Sequence, residues 1–207
     1  MASASITVRV KAQACIFHHG FDPRTYKSRF SRSAQKRLRL IAKHELTILG
    51  FHYSLDAHPQ IGNNSVIIRE LGAELGEPLF DEWGYIGRFR TFQDVKELSK
   101  KCAKLFEHDI FAVYAGPEKV STIGVVSGSA KPYDAELAEM AAKGVELFIT
   151  GEPSESVPHR MKESGINYFA GGHYATEVFG VQELGKKLKA NFKNKLDVEF
   201  IDIPNPI

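Results

Sequence analysis

The spacing of apolar and polar positions changes repeatedly along this chain, and the changes mark out its elements. Ala14–Phe17 is a short apolar run that reads as a buried strand ending at His18-His19-Gly20. A polar, basic loop containing Pro23 follows. From Ser33 to Leu49 apolar residues recur at helical spacing around Leu38, Ile41 and Leu46, and Gly50 is placed to stop that helix. Phe51–Ser54 reads as another short strand. Asn63 or Asn64 is expected to cap a helix running to Leu71, with Gly72 behind it. Residues 79–90 are mixed and extended. Thr91 is expected to cap an amphipathic helix on which Phe92, Val95, Leu98, Cys102 and Leu105 share one face.

The second half is more regular. Phe111–Tyr114 and Thr122–Val126 read as strands, and Ser127–Ala130 as a turn of small residues. Helices are expected over Asp134–Lys143, Ser154–Glu163 and Ala175–Phe192, and strands over Val145–Thr150, Ile166–Ala170 and Val198–Ile203. Strands alternating with helices imply an α/β fold with a largely parallel sheet covered by helices on both faces. Ligands in such sheets sit beyond the carboxyl ends of the strands. His18-His19, Asp56, Gly151-Glu152 and His173 all follow predicted strands, so the polar sets point to one converging site.

Composition leaves this picture standing. The 207 residues are 43% hydrophobic and 25% charged, ordinary for a globular protein. No apolar run approaches the roughly 20 residues that span a bilayer, so no membrane partner is expected. Two cysteines far apart, Cys15 and Cys102, are no disulfide framework and fit a reducing, cytoplasmic setting, with Cys15 read as a packed thiol. The net charge of +2 is uneven. Residues 1–60 carry ten Lys+Arg and three Asp+Glu, whereas residues 61–207 carry 17 and 22. Eight of the basic residues fall between Arg24 and Lys43 with no acid among them. A basic helix face is most often simply solvated. Beside a metal site it would steer a small anionic substrate, with Arg24, Lys27, Lys36 and Arg37 as candidates for holding phosphate, or it could hold nucleic acid.

Each candidate set has a plainer reading. A His-His pair at a strand end suits two metal ions, one ring each, yet alone it is more often a core or surface pair. Asp56 can bind or bridge metal, or merely cap a turn before Pro59. His52 and His58, flanking it, are candidates for proton transfer or for orienting a ligand. His173 and Glu177, at i and i+4, share a helix face within reach of one site, as would any surface pair. Glu152 joins the candidates for proton transfer, with His159 behind it. Gly124–Gly128 lacks the spacing of a phosphate-binding loop and reads as a tight turn.

Four ordered motifs resemble the Nif-three-like dinuclear metal family, whose members often carry the label type 2 GTP cyclohydrolase I. They are Phe17-His18-His19-Gly20, the stretch from Gly50 through His52, Asp56 and His58 to Gly62-Asn63-Asn64, Phe148-Ile149-Thr150-Gly151-Glu152, and Gly171-Gly172-His173-Tyr174-Ala175-Thr176-Glu177. The ending Phe200–Pro206 is also similar. The resemblance implies one family unit over residues 1–207 with interleaved lobes, and a two-lobed α/β fold with the metal site between the lobes. It implies that His18, His19, Asp56, His173 and Glu177 ligate two divalent transition-metal ions, Zn, Fe, Mn or Ni, and that subunits form a toroidal hexamer. Members of that family carry a further segment before the His-His pair, so the N-terminal part is expected to be shortened here. Two functions follow as expectations. One is a metal-dependent hydrolase acting on a nucleotide-like substrate, by ring opening or by phosphoester hydrolysis. The alternative is a non-enzymatic metal-binding regulator that docks protein or nucleic acid.

Overall fold

The computed structural model describes residues 9–20, 29–203 and 205 of the chain. The polypeptide divides into two compact units, one formed by Met1–His52 with Gly185–Pro204, the other by Tyr53–Leu184 with Asn205–Ile207.

In the first unit, strands β1 (Ala14–Phe17) and β2 (Thr47–Gly50) pair in parallel, with Phe17 opposite Gly50. Helix α1 (Arg32–Lys43) connects them and is capped by Ser31, whose hydroxyl accepts from the Ala34 N–H. The helical spacing of the sequence extends to Leu49, but the helix ends at Lys43. Glu45 adopts a left-handed conformation (φ 49°), and Thr47-Ile48-Leu49 then pairs with β1. The pairing of β-branched and apolar residues overrides the helical period there. Two expected strands are absent. Phe51–Ser54 follows the end of β2, and Val198–Ile203 takes no regular structure.

The second unit is built on one six-stranded sheet. Its strands are β3 (Glu74–Leu79), β4 (Gly84–Asp94), β5 (Phe111–Val113), β6 (Lys119–Val125), β7 (Leu147–Thr150) and β8 (Asn167–Ala170), in the order β3-β4-β6-β7-β8-β5. The alternating βα pattern of the sequence corresponds to the parallel centre, β6-β7-β8. The flanks are antiparallel: β3 pairs with β4, β4 with β6, and β5 with β8. The sheet is therefore mixed, because the extended residues 79–90 belong to a β3–β4 hairpin, and hairpins are antiparallel by construction.

Helices α2 (Tyr53–Asp56), α3 (Asn63–Glu70), α4 (Val95–Phe106), α5 (Asp134–Ala142), α6 (Val157–Ser164) and α7 (His173–Asn191) complete the described elements. Successive strand residues face opposite sides. Leu147 and Ile149 accordingly join Ile67, Ile68, Leu98 and Phe169 in one core cluster, while Phe148 and Tyr168 join Met140, Val157 and Met161 in another. This puts α3 and α4 on one face of the sheet and α5 and α6 on the other. Helix α4 starts at Val95, four residues later than the expected cap at Thr91. Asp94 caps it instead, its Oδ1 accepting from the N–H groups of Lys96 and Glu97. A charged acceptor serving two otherwise unpaired donors is the stronger stop signal, and Phe92 remains exposed on β4.

No helix among the described residues is long and apolar enough to cross a membrane. Cys102 lies within α4, fully buried in the core, and burial pushes its thiol up to about 12. At pH 8 a thiol reagent should therefore leave Cys102 unmodified in the folded protein and reach it only under denaturant. Rapid native modification of Cys102, read by peptide mass, would contradict the packing described.

Candidate metal centre

The parallel pairing of β1 and β2 organises the histidines of the first unit. Phe17 and Gly50 are opposite each other, and the Phe51 N–H donates to the Phe17 carbonyl (3.0 Å), so both strands end at the same level. The chain bends at His18-His19. A Cβ at Gly20 would lie 2.5 Å from the Gly50 Cα, so only glycines allow the two strand ends to approach this closely. As a result the His18 and His19 rings meet edge to face at 5.0 Å, and the His52 ring lies 5.0 Å from His18 and 4.4 Å from His19. Each ring offers a nitrogen, and these lie within 4.8 Å of one another. His18 is buried and His19 exposed. The geometry groups His52 with His18 and His19, where it is placed to orient a ligating ring or to move a proton.

The carboxylates of the second unit are held from several sides. Asp56, 7% exposed, ends the one-turn helix α2. Its Oδ1 accepts from Asn63 Nδ2 (2.9 Å) and from the Ser127 hydroxyl (2.9 Å). Asn64 Nδ2 donates to the Asp56 carbonyl (3.1 Å), and its Oδ1 accepts from the Ser127 N–H (2.7 Å). Asn63 Oδ1 accepts from the Gly180 N–H of α7 (2.7 Å). Asn63 and Asn64 are therefore not caps of α3. They are fully buried amides that tie α2, the end of β6 and α7 to the Asp56 carboxylate.

His173 is the first residue of α7, and Glu177 lies one turn on. His173 Nε2 is 3.0 Å from Glu177 Oε2, and its Nδ1 is 2.6 Å from Glu152 Oε1. The hydrogen bond to Glu177, followed by that to Glu152 and by attraction to both carboxylates, outweighs the desolvation that opposes it and raises the His173 pKa from 6.5 to about 9. The loop after β6 closes tightly over this pair. Gly128 has φ +71°, and a Cβ there would lie 2.3 Å from Glu177 Oε1. The Gly128 N–H donates to the Thr176 hydroxyl (3.0 Å), and its carbonyl accepts from the N–H groups of Gly151 (2.9 Å) and Glu152 (2.8 Å). The small-residue turn read from the sequence is thus a wall of the site, fixed to the ends of β7 and α7.

Other candidates lie elsewhere or do other work. His58 Nδ1 accepts from the backbone N–H groups of Gln60 (3.1 Å) and Ile61 (3.3 Å), which fixes the turn before α3. His159 is exposed on α6. Lys36 is exposed and Arg37 half-buried on α1, while Arg24 and Lys27 fall outside the described residues. Sequence reasoning missed Ser127, Gly128 and Thr176 as site residues and misassigned Asn63 and Asn64. The available signals were two adjacent amides at a helix start and a glycine-serine turn beyond an apolar strand.

Imidazole nitrogens and carboxylate oxygens are donors compatible with Zn, Fe, Mn or Ni. A carboxylate behind a histidine, as Glu152 stands behind His173, is the usual way a ligating ring is oriented. The imidazoles of the first unit could thus hold a metal ion, and the second unit carries carboxylate donors of the same kind.

The family description Duf34/NIF3 (NGG1p interacting factor 3) matches residues 1–206. The chain belongs to that family. A Salmonella typhimurium protein called GTP cyclohydrolase 1 type 2 homolog is 34% identical over 202 residues, 96% of this chain and 78% of the relative. A Haemophilus influenzae protein of the same name is 31% identical over 211 residues, 99% of this chain and 81% of the relative. A solved structure described as protein ybgI, of unknown function, superposes with TM-score 0.89 at 31% identity, covering 100% of this chain and 81% of the other. The Thermus thermophilus protein TTHA1606 gives TM-score 0.81 at 28% identity, over 99% and 80%. The α/β fold is thus the one this family shares.

Proposed function

We propose that this protein is a metal-dependent hydrolase of a nucleotide-like substrate. In this reading His18, His19, Asp56, His173 and Glu177 ligate two divalent transition-metal ions, and His52, His58 and Glu152 orient ligands or move protons. The observation that carries the proposal is the row Glu152–His173–Glu177, a histidine held at 2.6 and 3.0 Å between two carboxylates. Such a row stabilises a cation at its centre, a proton in the metal-free protein. The three imidazoles grouped at the ends of β1 and β2 support it as nitrogen donors, and the buried Asp56 as an oxygen donor.

Bound divalent ions would supply hydroxide at neutral pH, by lowering the pKa of water from about 16 toward about 7. The protein's own groups do the positioning. Asn63 and Ser127 fix the Asp56 carboxylate through Oδ1. Glu152 sets the orientation of the His173 ring, and Gly128 leaves room for Glu177 to face it. With two carboxylates against two divalent ions, the centre keeps a positive remainder that favours an anionic substrate. Lys36 and Arg37 are the described cations assigned to its phosphate. The name borne by the curated relatives supports a purine nucleotide, attacked at phosphorus or at a ring carbon. The toroidal hexamer and a cytoplasmic setting belong to the same proposal.

Elemental analysis tests it. Purified protein incubated with Zn, Fe, Mn and Ni in turn should retain about two ions per chain of at least one of them after gel filtration, and the loaded protein should turn over GTP. Phosphate release would assign attack at phosphorus, and loss of the purine absorbance would assign ring opening. Protein that stays metal-free with all four would refute the reading.

A further inference from the structure

Trp83 is the only tryptophan in the chain, and it is 49% exposed. It stands at the tip of the β3–β4 hairpin. Tyr53, 55% exposed on α2, meets it edge to face at 4.4 Å. Two large aromatic side chains left in solvent add little to a core, yet the backbone that displays them is built at a cost. Phe80, Asp81 and Glu82, immediately before Trp83, all adopt left-handed conformations (φ 55°, 51° and 73°). None is glycine, and each such residue is unfavourable. The tip is then locked. The Trp83 N–H donates to the Phe80 carbonyl (3.0 Å), and the Phe80 N–H donates to Glu139 Oε1 (3.2 Å).

The lock leads to the backbone that carries the Asp56 carboxylate. The buried Asn64 amide donates at once to the Trp83 carbonyl (2.8 Å) and to the Asp56 carbonyl (3.1 Å). The Tyr85 hydroxyl donates to the Ala57 carbonyl (2.6 Å), fastening the same hairpin to the residue after Asp56. Tyr53 and Asp56 belong to one helical turn. A rigid aromatic pair is therefore carried on the same small framework as the carboxylate assigned to the metal, and Asn64 couples the two.

Building on the hydrolase reading, we infer that Tyr53 and Trp83 form the platform on which the nucleobase of the substrate stacks. Every base offers a π-face, and aromatic side chains bind it without needing hydrogen-bond readout. The adjacent Asp81 and Glu82 carboxylates repel phosphate, so this end takes the uncharged base and the phosphates lie away from it. The pair therefore sets specificity for nucleotides over simple phosphoanions, and it touches none of the reacting atoms.

The single tryptophan makes the test direct. GTP and inorganic tripolyphosphate are titrated against the metal-loaded protein, read by calorimetry and by Trp83 fluorescence corrected for absorption. GTP should quench or shift the emission, and tripolyphosphate should leave it unchanged. Tyr53→Ala and Trp83→Ala should weaken GTP roughly 10- to 100-fold, the range of base–aromatic stacking, and leave tripolyphosphate within about twofold. Trp83→Phe keeps an aromatic face and should stay within about threefold of wild type, which guards against loss of folding in the alanine variant. Wild-type affinity for GTP in both alanine variants would overturn the inference while the hydrolase reading stands. So would a Trp83→Ala protein whose GTP affinity is intact but whose sedimentation changes, since the pair would then be a subunit contact. If the loaded protein binds and turns over neither probe, the nucleotide reading falls and this inference with it.

Discussion

Alanine at Asp56 or at His173 is expected to strip the protein of metal, from about two ions per chain to well under one, and to remove turnover with it. Each change deletes a proposed donor outright. Asp56→Ala also leaves the Asn63 amide and the Ser127 hydroxyl without the carboxylate oxygen they share. Burying those donors unsatisfied costs about 1–3 kcal/mol, so the variant should melt earlier yet still fold, because both core clusters of the sheet are untouched. Ser127→Ala separates orientation from ligation. It removes one of the two hydrogen bonds that set the Asp56 carboxylate and keeps the ligand itself. Losing such an outer partner weakens metal binding roughly 10- to 100-fold. The expected order in a chelator competition is therefore wild type, then Ser127→Ala, then Asp56→Ala and His173→Ala. An Asp56→Ala protein that retains its full complement of metal would remove Asp56 from the ligand set.

Much of this site was legible in the chain because its chemistry is local. His18-His19, and the i, i+4 pair His173 and Glu177, need only a strand end or one helical turn to meet, and strand ends and helical turns are what apolar spacing reveals. Contacts between distant segments were less legible. Ser127 reaches Asp56 across 71 positions, and Asn63 reaches Gly180 across 117. Nothing in the periodicity around Ser127 signals such a partner. The grouping of His52 with His18 was hidden for a related reason. It follows from the register of β1 on β2, and the sequence offered a helix where β2 lies. The parallel centre of the sheet was readable from alternating strands and helices. The antiparallel flanks were hidden by the β3–β4 turn, which uses three left-handed non-glycine residues in place of the glycine or asparagine that usually marks a hairpin.

Freed of metal by chelation, the protein should lose stability as the pH rises from about 6.5 through about 9. His173 provides the cause. Between Glu152 and Glu177 its folded-state pKa is raised from 6.5 to about 9, so the folded state holds this proton more tightly than the unfolded chain does. Below 6.5 both states carry the proton and the gain is fully present. Between the two values the unfolded chain has released it, and the gain shrinks by about 1.36 kcal/mol for each pH unit. Above about 9 it is gone. The span corresponds to an upper limit on the order of 3 kcal/mol, since the ring is 25% exposed and solvent screens the pair. For a chain of this size that is a fall of roughly 6–12 °C in Tm. His173→Gln removes the titrating group and keeps a hydrogen-bonding side chain, so its melting temperature should be nearly flat over the same window. Wild-type and His173→Gln curves that stay parallel from pH 6 to pH 9.5, in chelator and at low salt, would mean that the two carboxylates do not hold a charged imidazole, and the cation-stabilising row on which the metal assignment rests would lose its support.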